Sequence, residues 1–213
     1  MKPISELKDS HKGYDLYVVA SGASAGYIDP SFFNNKIAIG VNQIWRRFDN
    51  IDYIVAKDSN SMKVNITASR SMGFKLIVSQ YNCGTYRYEQ NKGADYVFQH
   101  TDNKLLDINL DVIGTDKIVL SYSTITSAIH IAAYMGAANI IVIGHDCGTL
   151  DGQANMAGYP ESPRGSEFYR EFLSQIEPQT LALRERIKEV YGCNIYSLNP
   201  FINFGLEGHK YDR

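Results

Sequence analysis

The sequence predicts an α/β fold: a single domain built on an open, mainly parallel sheet with helices on both faces. Three observations predict it. Short apolar runs rich in β-branched residues alternate with longer helical stretches along the 213 residues. Most of these runs stop on small or polar residues, as strands do when they deliver hydrogen-bonding groups to one edge of a sheet. Finally, Lys117 to Asp146, KIVLSYSTITSAIHIAAYMGAANIIVIGHD, reads as strand, buried helix, strand.

Residues 1–13 are a polar lead-in with room for one helical turn. Tyr14 to Ala20 is the first strand, closed by the small residues Ser21-Gly22-Ala23-Ser24. Asp29-Pro30-Ser31 starts a short helix or turn, Lys36 to Val41 is a second strand ending at Asn42-Gln43, and Ile44 to Phe48 is a brief helix. Tyr53 to Ala56 is a third strand, ending at Lys57-Asp58; Ser59 to Met72 reads as a helix and Phe74 to Ser79 as a fourth strand. Residues 81–116 are the least legible, an insertion or edge-hairpin region with a strand at Tyr96 to His100. Ser127 to Met135 is an apolar helix with Gly136 as its C-cap, and Asn139 to Gly144 a fully apolar strand ending at His145-Asp146. Residues 147–165 have no apolar period and the length of a lid. Glu167 to Val190 is amphipathic and expected to break near Pro178; Asn194 to Leu198 is a last strand.

Composition narrows the function classes. A net charge of −2 gives no general attraction to nucleic acid or to an anionic membrane. No apolar run reaches the roughly 20 residues of a membrane span, and the first residues hold no apolar signal core. Cys83, Cys147 and Cys193 are far apart with no CxxC pair, the usage of a cytoplasmic protein with reduced thiols. Fifteen tyrosines suit sugar or base binding, although core and surface packing account for most of them.

In an open α/β sheet ligands bind outside the carboxyl ends of the strands, which places the site at Ser21–Ser24. Small residues there let a phosphate or sugar approach the backbone, and the N–H groups of the turn and of the following helix start can hold an anion. An ordinary tight turn has the same composition. Asp58 either binds a ribose hydroxyl or caps the next helix. His145 is a candidate proton acceptor at the site edge or a histidine bonded within its loop, and His130 is a core histidine.

The ordered stretches VVASGASAGYID, VNQIW, STITSAIHIAAYMGAANIIVIGHD and NIYSLNPFINF resemble the bacterial sialyltransferases of glycosyltransferase family 42, and more loosely the motility-accessory-factor proteins. That family carries a GNGPS loop, a Cys-Asn-Gln followed by aromatics, an Ile-Thr-Ser-Gly helix start and a strand ending Gly-Ile-Asp. The resemblance implies a Rossmann-like fold of the GT-A type that uses a CMP-activated sugar without a metal or other cofactor, transferring it to a glycan or other hydroxyl acceptor. It implies that Gly22 and Ala23 approach the donor phosphate, that Asn42, with Gln43 beside it, bonds the nucleotide, and that Thr126 and Ser127 hold the sugar carboxylate or phosphate. Asp146 would sit at the nucleotide or sugar edge, and a homo-oligomer is in keeping with the family.

The departures are specific. The family's general base is a histidine in Tyr-x-Gly-His, whereas residues 147–208 hold no histidine and the matching place reads Tyr159-Pro160-Glu161-Ser162-Pro163-Arg164-Gly165. With no Asp-x-Asp in the chain, a leaving phosphate would fall to backbone N–H groups, hydroxyls and one cation, with Tyr159, Tyr169 and Arg164 as candidates. Two other classes stay open: a hydroxymethylpterin diphosphokinase-like phosphotransferase, which needs Mg²⁺, and a non-catalytic nucleotide or sugar-phosphate binding module.

Overall fold

The computed structural model describes residues 1–57, 59–80, 92–100, 108–121, 123–160 and 166–198, with all their side chains except those of 59–61 and 166–175. Its strands are β1 (Lys2–Pro3), β2 (Asp15–Val19), β3 (Ile37–Val41), β4 (Tyr53–Ala56), β5 (Lys75–Ser79), β6 (Tyr96–Phe98), β7 (Asn139–Ile143) and β8 (Asn194–Ser197). The α-helices are α1 (Ser59–Met72), α2 (Thr124–Tyr134) and α3 (Ser166–Tyr191). All eight strands form one sheet in the order β1-β6-β5-β4-β3-β2-β7-β8, and every pairing is parallel. All carboxyl ends therefore lie along one edge.

Alternation along the strands explains the layers. Leu16 and Val18 face a cluster containing the α2 residues Ile125, Ile129 and Ala132 and the α3 residues Leu183 and Ile187. Val19, Ala38 and Ile54 face the other side, with Met62 and Ala68 of α1, Phe33 of the 3-10 turn Pro30–Phe33, and Phe48 just after the one that follows β3. Helices thus cover both faces, as the buried, unalternating apolar runs require. β3 to β6 extend outward from one side of β2, whereas β7 joins its other side. The chain reverses direction across the sheet between β2 and β7, the kind of point at whose carboxyl edge open α/β sheets form their ligand crevice.

Four sequence expectations change. The lead-in is not merely a turn: Lys2–Pro3 pairs with β6, and Ile4 and Leu7 enter the core. Tyr96–Phe98 is an inner strand between β1 and β5 rather than part of an edge hairpin. Lys117–Leu120 is no strand: it touches β6's continuation through one bridge at Gln99 while Ile118 to Leu120 are buried. Helix α3 runs unbroken through Pro178. Ile176, Leu183 and Ile187 are buried on both sides of that proline, so packing outweighs its local cost of about 3 kcal/mol. His130 is the expected core histidine: Nδ1 accepts from the Val119 N–H at 3.0 Å, which leaves the proton on Nε2, 3.2 Å from the Tyr191 hydroxyl.

Candidate functional site

The turn after β2 closes on the end of β7. Gly22 N–H donates to the Gly144 carbonyl at 2.8 Å, and Ala20 N–H to that of Ile143 at 2.8 Å. Gly144 has φ +66, and a side chain there would run into the Ala20 carbonyl. A Cβ on Gly22 would meet the Gly144 carbonyl and stand 2.7 Å from Asp146 Oδ2. The small residues are therefore needed first by the protein itself, to bring two strand ends together.

Asp146 is the polar centre of that junction. Ser24 N–H donates to Oδ2 at 2.9 Å and Ser24 Oγ donates to Oδ1. Asp146 is 3% exposed, and burial pushes its carboxyl above the usual range against the two Ser24 bonds that favour the carboxylate. Ser24→Ala is expected to cost about 1–3 kcal/mol, because it removes one of the donors to a buried carboxylate; urea unfolding at neutral pH measures it.

Much of the turn's N–H complement is committed within the protein. The N–H groups of Gly22 and Ser24 are taken as above, and that of Ala25 donates to the Gly22 carbonyl at 2.9 Å. The following Ala23–Tyr27 segment is a single 3-10 turn, too short to project a helix dipole, and Ala23 is buried. What remains for a ligand is close approach, beside a negative charge.

On the neighbouring strand, Asn42 has φ +53, and its N–H donates to Val55 at 2.9 Å. Its Oδ1 is buried with no hydrogen-bond partner among the described residues. A buried acceptor left open at a strand's carboxyl end is suited to a ligand N–H or O–H. Gln43 follows: its N–H lies 3.5 Å from the Tyr159 hydroxyl, and its Oε1 accepts from Arg46 Nε at 2.7 Å. At the end of β4, the buried Lys57 donates from Nζ to the Ser121 carbonyl.

Thr126 and Ser127 lie at the start of α2 but within the core. Thr126 Oγ1 donates to the Ser123 carbonyl at 2.8 Å beside Ser121 Oγ, and Ser127 Oγ donates to the Val119 carbonyl at 2.7 Å. Their hydroxyls fasten α2 to the segment before it. His145 points to α3: Nε2 lies 2.8 Å from Thr180 Oγ1, whose own proton goes to the Ile176 carbonyl at 3.1 Å. Burial lowers its pKa to about 4, and the neighbouring Cys147 thiol, 3.6 Å from Nε2, is pushed up to about 12 by burial and by Glu177 and Asp146. Taking a proton from an acceptor needs basicity and access; His145, 4% exposed, has little of either.

Residues 148–160 fold back on the turn. Met156 N–H donates to the Ser21 carbonyl at 2.9 Å, Ser21 Oγ donates to Asn155 Oδ1 at 2.8 Å, and Met156 is 5% exposed. This half of the stretch has an apolar anchor that the composition of 147–165 did not announce. Asp58 and Arg164 lie outside the described residues, and Tyr169 is in α3 with its side chain outside them.

The fold is an α/β domain similar to glycosyltransferases. No protein-family model matches the sequence, and no curated protein matches it. Two solved structures share the fold. The MAf glycosyltransferase from Magnetospirillum magneticum AMB-1 aligns with a TM-score of 0.53 at 13% identity, over 94% of this chain and 34% of that one. The sialyltransferase CstII from Campylobacter jejuni, solved in complex with a substrate analogue, cytidine-5'-monophosphate, aligns with a TM-score of 0.53 at 11% identity, over 92% of this chain and 85% of that one. This chain thus spans about a third of the first protein's length. No helix among the described residues is long and apolar enough to cross a membrane.

Proposed function

We propose that this chain is a glycosyltransferase that binds a nucleotide-activated sugar at the crevice between β2, β3 and β7. The donor is CMP-linked with an acidic sugar, the acceptor is a glycan or other hydroxyl compound, and no metal is required. The observation that carries the reading is the Gly22–Ser24–Asp146 junction, seated where the sheet reverses direction in a fold shared with a sialyltransferase solved with CMP. In this reading Ser21, Gly22 and Ala23 admit the donor to the backbone, and Asn42 Oδ1 accepts from it. Thr126 and Ser127 set the start of α2 beside the sugar, and Asp58 meets a ribose hydroxyl. Residues 147–165 form the lid, from which Tyr159 and Arg164, with Tyr169, face the leaving phosphate. The setting is cytoplasmic, and a homo-oligomer fits the family resemblance.

Calorimetry with CMP, UDP, GDP and ATP, each with Mg²⁺ or EDTA, tests this directly. CMP should bind, equally well in EDTA; binding of ATP alone, and only with Mg²⁺, would move the diphosphokinase reading ahead. Turnover of a CMP-sugar should survive EDTA and fall about 100-fold or more in Tyr159→Phe, the loss typical of removing one preorganised donor. The sequestered His145 favours one second reading, a module that binds the nucleotide sugar without transferring it. CMP binding with no hydrolysis or transfer of a CMP-sugar, across a panel of acceptors, selects that reading.

A further inference from the structure

We propose that Arg46 is an anion-binding residue of this site, holding a pair of ligand oxygens with the two terminal nitrogens of its guanidinium. The oxygens belong to the donor's phosphate or to a sugar carboxylate, so the proposal rests on the nucleotide-sugar reading above. The turn at Gly22 commits most of its N–H groups internally and sits on a carboxylate, so an anionic ligand here needs positive charge from elsewhere.

Arg46 closes the 3-10 turn Ile44–Arg46, which follows Asn42 and Gln43 at the carboxyl end of β3, the strand beside β2. Its Nε donates to Gln43 Oε1 at 2.7 Å, and its guanidinium lies 4.9 Å from the centroid of the Trp45 ring. Trp45 is itself fixed, donating from Nε1 to Oδ1 of the buried Asn65 at 2.8 Å. Two tethers thus orient an exposed side chain that ordinarily loses roughly 2 kcal/mol of rotamer freedom when it is immobilised. Among the described residues, Arg46 forms no ion pair, and its terminal nitrogens make no hydrogen bond. The fork they leave fits phosphate or carboxylate. A chain of contacts joins it to the crevice: Gln43 to Tyr159, and Met156 of the same segment to Ser21.

Calorimetry of the parent, Arg46→Ala and Arg47→Ala with CMP, cytidine and N-acetylneuraminic acid tests the assignment. Arg47, over the Phe48 ring at 5.9 Å and beside the Asp29 carboxylate, is the control for loss of a neighbouring charge. Arg46→Ala should weaken CMP about 10- to 100-fold and leave cytidine unchanged, while Arg47→Ala stays within about twofold. The same loss seen with the sugar acid instead identifies the carboxylate as the partner. CMP and sugar acid bound by Arg46→Ala as tightly as by the parent overturn the proposal. A parent that binds none of the three sinks the donor reading, and Arg46 is then judged with inorganic pyrophosphate alone. A thermal shift in the parent that Arg46→Ala loses supports it, and equal shifts, or none in either, overturn it.

Discussion

Gly22→Ala is expected to lower stability by about 1–3 kcal/mol and to abolish nucleotide binding, and Gly22→Val to do both more severely. The backbone at Gly22 is ordinary, with φ −54, so conformational strain plays no part. The cause is space: the added Cβ meets the Gly144 carbonyl and lies 2.7 Å from Asp146 Oδ2, and neither is the free end of a flexible chain. The turn must move away from β7, which breaks the Gly22 to Gly144 bond and loosens both Ser24 bonds to Asp146. Urea unfolding read beside calorimetry checks it. A Gly22→Ala protein with parental stability would show that the turn has room, and one with parental nucleotide affinity would place the site elsewhere.

Acid should destabilise the fold well before most carboxylates titrate. His130 and His145 are buried as neutral rings, with folded pKa values of about 3 and about 4 against an ordinary 6.5. Both are lowered by burial, so the unfolded chain binds the extra protons. The stability they contribute is whole above about pH 6.5 and is lost as pH falls toward the folded values. At about 1.4 kcal/mol per pH unit and histidine, pH 5 removes roughly 2 kcal/mol for each, a large part of a typical domain's stability. Asp146 has the opposite sign: its raised pKa means that the folded state takes up its proton first, so it offsets part of the loss low in the titration. Urea midpoints from pH 8 to 4.5 measure the slope, which His145→Gln should roughly halve. A flat profile would show that both rings reach solvent in the folded protein.

Much of the sheet was legible because buried parallel strands are written as continuous apolar runs. Tyr53–Ala56 and the helix Ser59–Met72 have the expected bounds, and β2, β3, β5, β7 and β8 differ by a residue or so at their ends. What failed was decided by partners distant in sequence. Lys2–Pro3 carries no strand signal and pairs only because β6 offers an edge. Lys117–Leu120 has the composition of a strand, but beyond the bridge at Gln99 no ladder forms along it. In the site, the small-residue turn and the terminal Asp146 could be read, but not that Ser24 and Asp146, 122 residues apart, are partners. His145 looked as available as Asp146 because adjacent residues at a strand end point to opposite sides, and only the packed α3 shows which side is covered. Arg46 carried no motif; its signal was the Gln-x-Trp-Arg spacing that lets one guanidinium reach both an amide and an indole.

The pairing of β2 with β7 also sets the order in which this protein can be made. Asp15 and Asn139 sit side by side in the finished sheet but lie 124 residues apart in the chain. At ribosomal speeds of about 5–20 residues per second, β2 emerges roughly 6–25 s before its second neighbour exists. Through that interval β3 can cover one flank of β2, while the other is a bare strand edge able to recruit a neighbouring nascent chain. The junction at the carboxyl edge is therefore among the last parts to form, since the turn at Gly22 has nothing to close upon until Gly144 and Asp146 have left the ribosome.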